Sequence, residues 1–141
     1  MTVKMTAKEL MEFLDREFPQ VNGEFAIEEV GDSRIRVRLL VAERHLRPGG
    51  TVSGPSIFAL ADVSVYLAVL AMIGPEGLAV TTSCSLDFMR KPAARTDLIA
   101  ECRLLKLGRV LAVGEVLIFS EGIQAPVARA SLTYSIPPTR D

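Results

Sequence analysis

The chain has 141 residues, 49% of them hydrophobic, with 16 Lys and Arg against 17 Asp and Glu. That length points to a single domain, residues 1–141, with a core of useful size. The balanced charge argues against a nucleic-acid partner, which needs a basic face, and so much apolar surface on a short chain points to a homo-oligomer.

Residues 1–22 carry a short helix. Leu10, Met11, Phe13, Leu14 and Phe18 recur at three-to-four spacing over Thr6–Phe18, Thr6 can cap with Glu9, and Pro19 follows the stop. The segment is charged and amphipathic without a continuous apolar stretch, so it does not read as a signal peptide. Two strands follow, Phe25–Val30 and Arg34–Val41, joined by Gly31-Asp32-Ser33. Ile35, Val37 and Leu39 alternate with Arg34, Arg36 and Arg38, which marks a strand with one wet face and an antiparallel hairpin.

A Gly- and Pro-rich loop over residues 43–54 then leads into Pro55–Ile73, an apolar helix whose only charged residue is Asp62. It is long enough to raise a membrane span. Asp62, Ser64 and Tyr66 at its middle and the lack of flanking basic clusters argue against one. Gly74-Pro75 ends it, and four strand-like runs complete the chain: Leu78–Lys91, Thr96–Leu107, Val110–Ser120 and Pro126–Ile136. Residues 137–141 read as a loose tail. Cys84 and Cys102 form neither a metal-type pair nor a disulfide framework. Both read as buried free thiols, which fits a reducing cytoplasm.

A helix that is apolar on every side must be covered on every side. One antiparallel sheet of about six strands can curl around it, and the remaining sheet edge and helix flank would seek a second subunit. The predicted class is α+β: a curled antiparallel sheet wrapped around a long apolar helix, with a short N-terminal helix, the arrangement called the hot-dog fold.

Several motifs then coincide in order. His45-x4-Gly50-x2-Ser53-Gly54-Pro55…Leu60-Ala61-Asp62 resembles the H-x-N-x-x-G-x-x-H-G-G…L-x-D signature of phenylacetate-degradation (PaaI-type) acyl-CoA thioesterases. Leu86-Asp-Phe-Met-Arg-Lys-Pro-Ala93 resembles their F-L-R-P-A strand end with one extra residue. Leu104-x-x-Leu107-Gly-Arg109…Ala112-Val-Gly-Glu115 and Val127–Tyr134 resemble the strands that follow. The resemblance spans about residues 24–137. Arg47 stands where the family has Asn, Ser53 where it has His, and Pro55 where it has the second Gly.

The resemblance implies a carboxylate that activates water, or attacks, at a thioester carbonyl, and a backbone N–H at a helix start that holds the carbonyl oxygen. It places these roles on Asp62 and Gly54, with Ser53 beside them. Physical reasoning agrees: Pro55 suits the first helical turn, and the Gly54 N–H and the helix dipole point at a developing oxyanion. A thioester needs little acid assistance, since thiolate is a good leaving group, so neither metal nor cofactor is expected; coenzyme A is part of the substrate.

Eight helical residues between Gly54 and Asp62 rise about 12 Å at ~1.5 Å each. A general base must lie within a hydrogen bond, or one water, of its target. One subunit therefore cannot place both groups on one carbonyl, and two subunits related by a twofold can. Candidate substrate contacts are His45 and Arg47 in the loop, Thr81, Thr82 and Ser83 on a strand, Tyr66 on the helical face of Asp62, and the cations Arg90, Lys91 and Arg95, which suit the phosphates of coenzyme A. The alternatives are a non-catalytic acyl-CoA-binding module of the same fold and an acyl-thioester dehydratase. The second needs a His–acid pair, for which the lone His45 on a loop is poorly suited.

Overall fold

The computed structural model describes residues 2–138; residues 139–141 of the expected tail lie outside the described residues. Two α-helices and six strands follow in the expected order. Helix α1 spans Ala7–Glu17 and opens on the expected capping box: the Thr6 hydroxyl accepts from the Glu9 N–H at 3.1 Å and the Glu9 carboxylate accepts from the Thr6 N–H at 2.9 Å. Strands β1 (Phe25–Gly31) and β2 (Arg34–Leu39) form the hairpin. Helix α2 (Gly54–Ile73) follows, then β3 (Val80–Phe88), β4 (Leu98–Leu107), β5 (Leu111–Ser120) and β6 (Ala128–Ser135).

Among the described residues the six strands make one antiparallel sheet in the order β1-β2-β4-β5-β6-β3. The alternating strands give the sheet an apolar concave face and a polar convex one. Ile35, Val37, Leu98, Ala100, Cys102, Val116, Ile118, Leu132 and Tyr134 turn inward and are buried with α2. On the convex face, Arg34 and Arg36 pair with Glu29 and Glu101. Arg38 clamps one end of the sheet, reaching Glu28, Asp97 and Glu121 at 2.7, 2.9 and 2.8 Å.

By length and composition α2 could cross a bilayer, yet 67% of its apolar window is buried inside the protein. It is the core helix of this fold. The sheet comes close to the helix at Gly114 on β5, where an added Cβ would lie 2.9 Å from the Val65 side chain. Gly114→Val is accordingly expected to push α2 off the sheet and cost about 1–3 kcal/mol, read by thermal melting.

The sheet does not cover α2 completely. Gly54, Phe58 and Asp62, four residues apart on one helical face, are all partly open, with Phe58 39% exposed. They look out over the inner side of β3, the edge strand. Its inward positions Cys84 and Phe88, opposite Leu132 and Ala128, are nonetheless exposed. The expectation of two buried thiols therefore holds for Cys102, which burial pushes up to about 12, and is corrected for Cys84.

Candidate active site

The site is built where α2 meets β3 and β6. Thr81 lies directly opposite Tyr134 in the β3–β6 register, and both point inward. Their hydroxyls converge on one atom. Thr81 Oγ1 donates to Asp62 Oδ1, and Tyr134 Oη donates to the same oxygen at 2.7 Å. The Tyr134 hydroxyl also lies 3.0 Å from the Asp62 backbone carbonyl. Among the described residues no donor reaches Oδ2 of Asp62. No buried side-chain oxygen there lacks a partner, so Oδ2 is open to solvent.

The carboxylate lies in the wall of a pocket of about 330 Å³ lined by Phe18 at the end of α1, Val63 and Tyr66 of α2, Ala79, Thr81 and Tyr134. The Tyr66 and Tyr134 rings pack tilted, with centroids 6.2 Å apart. The Tyr66 hydroxyl faces the Gly77 carbonyl at 3.5 Å. Burial, then Glu17 and Glu76, push its phenol above the ordinary value. Burial, then the Asp62 charge, push Tyr134 higher still. Both phenols are therefore protonated near neutrality, and Tyr134 acts as a donor.

The other half of the expected chemistry lies at the start of α2. Ser53 caps the helix: its Oγ accepts from the Ser56 N–H at 3.4 Å and faces the Ser56 hydroxyl at 3.1 Å. Gly54 is the first helical residue, and its N–H has no acceptor among the described residues. The Phe88 ring lies against Gly54, where an added Cβ would meet its Cζ at 3.3 Å. Gly54 and Asp62 thus sit against opposite ends of β3.

The loop before α2 turns tightly at Gly49 and Gly50, both with positive φ (100° and 82°). It is anchored by His45, which is 4% exposed. His45 Nδ1 accepts from the Ala42 N–H at 2.9 Å, so the neutral ring carries its proton on Nε2 and donates it to Glu24 Oε1 at 2.9 Å. The His45 carbonyl also accepts from the Ser53 N–H at 2.8 Å. Both ring nitrogens are committed to holding the loop that presents Ser53 and Gly54.

The remaining residues singled out in the sequence are dispersed. Thr82 is the extra residue in a β-bulge, and its hydroxyl donates to the Thr133 carbonyl at 3.3 Å. Ser83 pairs with Thr133 on the face of the sheet away from α2. Arg47 and Lys91 are exposed. Arg90 donates to the Pro126 carbonyl at 2.7 Å, and Arg95 reaches Glu43 at 3.2 Å. Tyr134 is the residue that reading the sequence missed. Its signal was present: a tyrosine at an inward strand position needs a partner for its hydroxyl, and α2 offers one carboxylate.

A single apolar helix inside a curled six-stranded sheet, with an acid at the open edge, defines a hot-dog protein of the thioesterase type. The family model described as "Thioesterase superfamily" matches residues 49–127. The chain belongs to that superfamily. Among solved structures, it is similar to a candidate thioesterase from Silicibacter sp., with 60% identity, coverage of 98% of this chain and 96% of that one, and a TM-score of 0.92. It is also similar to a mutant of the phenylacetic acid degradation protein PaaI from Thermus thermophilus, at 28% identity, 84% and 99% coverage and a TM-score of 0.72. A hypothetical thioesterase from Streptococcus pneumoniae, whose structure holds coenzyme A, shares the fold at 21% identity, 93% and 99% coverage and a TM-score of 0.78. Comparison with curated protein sequences finds no match.

Proposed function

We propose that the protein is an acyl-CoA thioesterase in which Asp62 acts as general base toward a water, and in which the Gly54 N–H of a second copy of the chain polarises the thioester carbonyl. The observation that carries this reading is the Asp62 carboxylate itself. It is held on one oxygen by two hydroxyls and open on the other, in the wall of a pocket lined by Phe18, Tyr66 and Tyr134. Such a base can take a proton from water as that water attacks the carbonyl carbon. The C–S bond then breaks, and thiolate leaves without needing a strong acid. No cofactor is called for.

The open stripe on α2 supports a shared site. Phe58 stands midway between Gly54 and Asp62 on the same face. A twofold axis passing near Phe58 would bring the Gly54 of one copy toward the Asp62 of the other. The unpaired β3 edge and the exposed Phe58, Cys84 and Phe88 supply an apolar surface for that pairing. Arg47, Arg90, Lys91 and Arg95 are cations that suit coenzyme A phosphates in such a dimer. His45, bound to Glu24 and Ala42, is not free to serve a dehydratase.

The test is release of free thiol from a panel of short-, medium-chain and aryl acyl-CoAs, followed with a thiol-trapping dye. Saturable turnover of at least one member is expected. Binding of the esters without thiol release would favour the non-catalytic module. Loss of water from a 3-hydroxyacyl thioester would favour the dehydratase.

A further inference from the structure

We propose that Tyr134 is a positioning residue for hydrolysis: its hydroxyl, shared between the Asp62 carboxylate and the Asp62 backbone carbonyl, orients the carboxylate so that Oδ2 is the oxygen that takes the proton. This rests on the reading of Asp62 as the base.

Tyr134 has one phenolic proton, and two acceptors of the same residue lie within 2.7 and 3.0 Å of it. A helical carbonyl has a lone pair to spare beyond its helical bond, so the phenol can bridge backbone and side chain at no cost to α2. A bridge between a residue's own carbonyl and its carboxylate restricts χ1 of that residue directly. Thr81 adds a second donor to the same oxygen. Oδ1 is then fully engaged, and a water's proton finds its acceptor at Oδ2. Tyr134 can hold this role across the working pH range because burial and the Asp62 charge keep it protonated.

The surroundings leave this duty to hydroxyls. No Lys or Arg lines the pocket among the described residues. The titratable groups that face Asp62 are Glu17 from α1, Tyr66 on α2 itself, Cys84 on β3 and Tyr134 on β6, with Glu76 acting through Tyr66. None is a cation. The hydrogen bonds from these two hydroxyls are therefore what holds the carboxylate in place. Losing one of the two should show in its aim.

Tyr134→Phe keeps the ring and its packing on Tyr66 while removing the hydroxyl. In Tyr134→Phe, kcat is expected to fall by about tenfold while KM stays within about twofold, a split that a loss of fold or of pocket shape would not give. A Tyr134→Phe enzyme with the wild-type kcat overturns the proposal, as does one whose loss lies in KM alone or that only melts at lower temperature, provided that Asp62→Asn is inactive. An Asp62→Asn enzyme that still turns over overturns the base reading, and this inference with it.

Discussion

Asp62→Asn is expected to lower kcat for acyl-CoA hydrolysis by about 10²–10⁴-fold, the range that a positioned general base supplies, with little change in thermal midpoint. The local hydrogen bonding explains why the fold should survive. Thr81 and Tyr134 both donate to Oδ1, and the amide oxygen of asparagine accepts both bonds in the same place. The change falls on the other atom, where an acceptor oxygen becomes an NH₂ donor that cannot take a proton from water. The variant thus separates structure from chemistry, whereas Asp62→Ala would strand two hydroxyls beside a small void and confound them. The measurement is thiol release at substrate saturation beside a melting curve. Turnover near the wild-type rate would sink the carboxylate mechanism.

The largest expected effect on stability comes from Leu67→Ala, at about 2–5 kcal/mol. Leu67 sits in the middle of α2 at 0% exposure, among the largest side chains that are fully buried. The loss combines the transfer term for the missing methyl and methylene groups with a cavity term. The cavity has little chance to close. The sheet around α2 is a continuous hydrogen-bonded ladder from β1 to β3, and the Gly114–Val65 contact already places backbone against helix at close range. Denaturant or thermal unfolding should be compared at equal protein concentration, since any self-association would shift the midpoint by mass action. A loss below about 1 kcal/mol would mean that the core relaxes far more than its packing implies.

What could be read in the sequence was local. The Thr6–Glu9 cap, the Arg34/Arg36/Arg38 alternation and the Gly74 stop are written within a few residues of one another, and each is found in the structure. Asp62 stood out because a charge inside an apolar helix needs a reason. Strand ends were less legible. The run Leu78–Lys91 shortens to Val80–Phe88, with Met89 and Arg90 both turning to the Val127 carbonyl. Nonlocal pairing was not legible at all. That β3 closes on β6 decides that Cys84 is exposed and that Thr81 faces Tyr134, and nothing near residue 81 specifies a partner 53 positions away. His45 shows the same limit. Its interest as the lone histidine lay in its chemistry, and its place was set by Glu24, 21 residues upstream.

The strand order also sets a timetable for assembly. β3 is made well before β6, yet β6 is its sole strand neighbour among the described residues. A nascent chain that has emerged through β5 carries Asp62 and Thr81 but has neither the phenol that meets them nor the ladder that holds β3 flat against the core. Contacts of such long sequence separation form late, because loop closure precedes their reward. Until the last strand docks, β3 is an unpaired segment with apolar residues exposed, open to wrong partners on crowded ribosomes. The ladder partner of β3 and the phenol that meets Asp62 then arrive in one step, with the same eight residues, Ala128–Ser135.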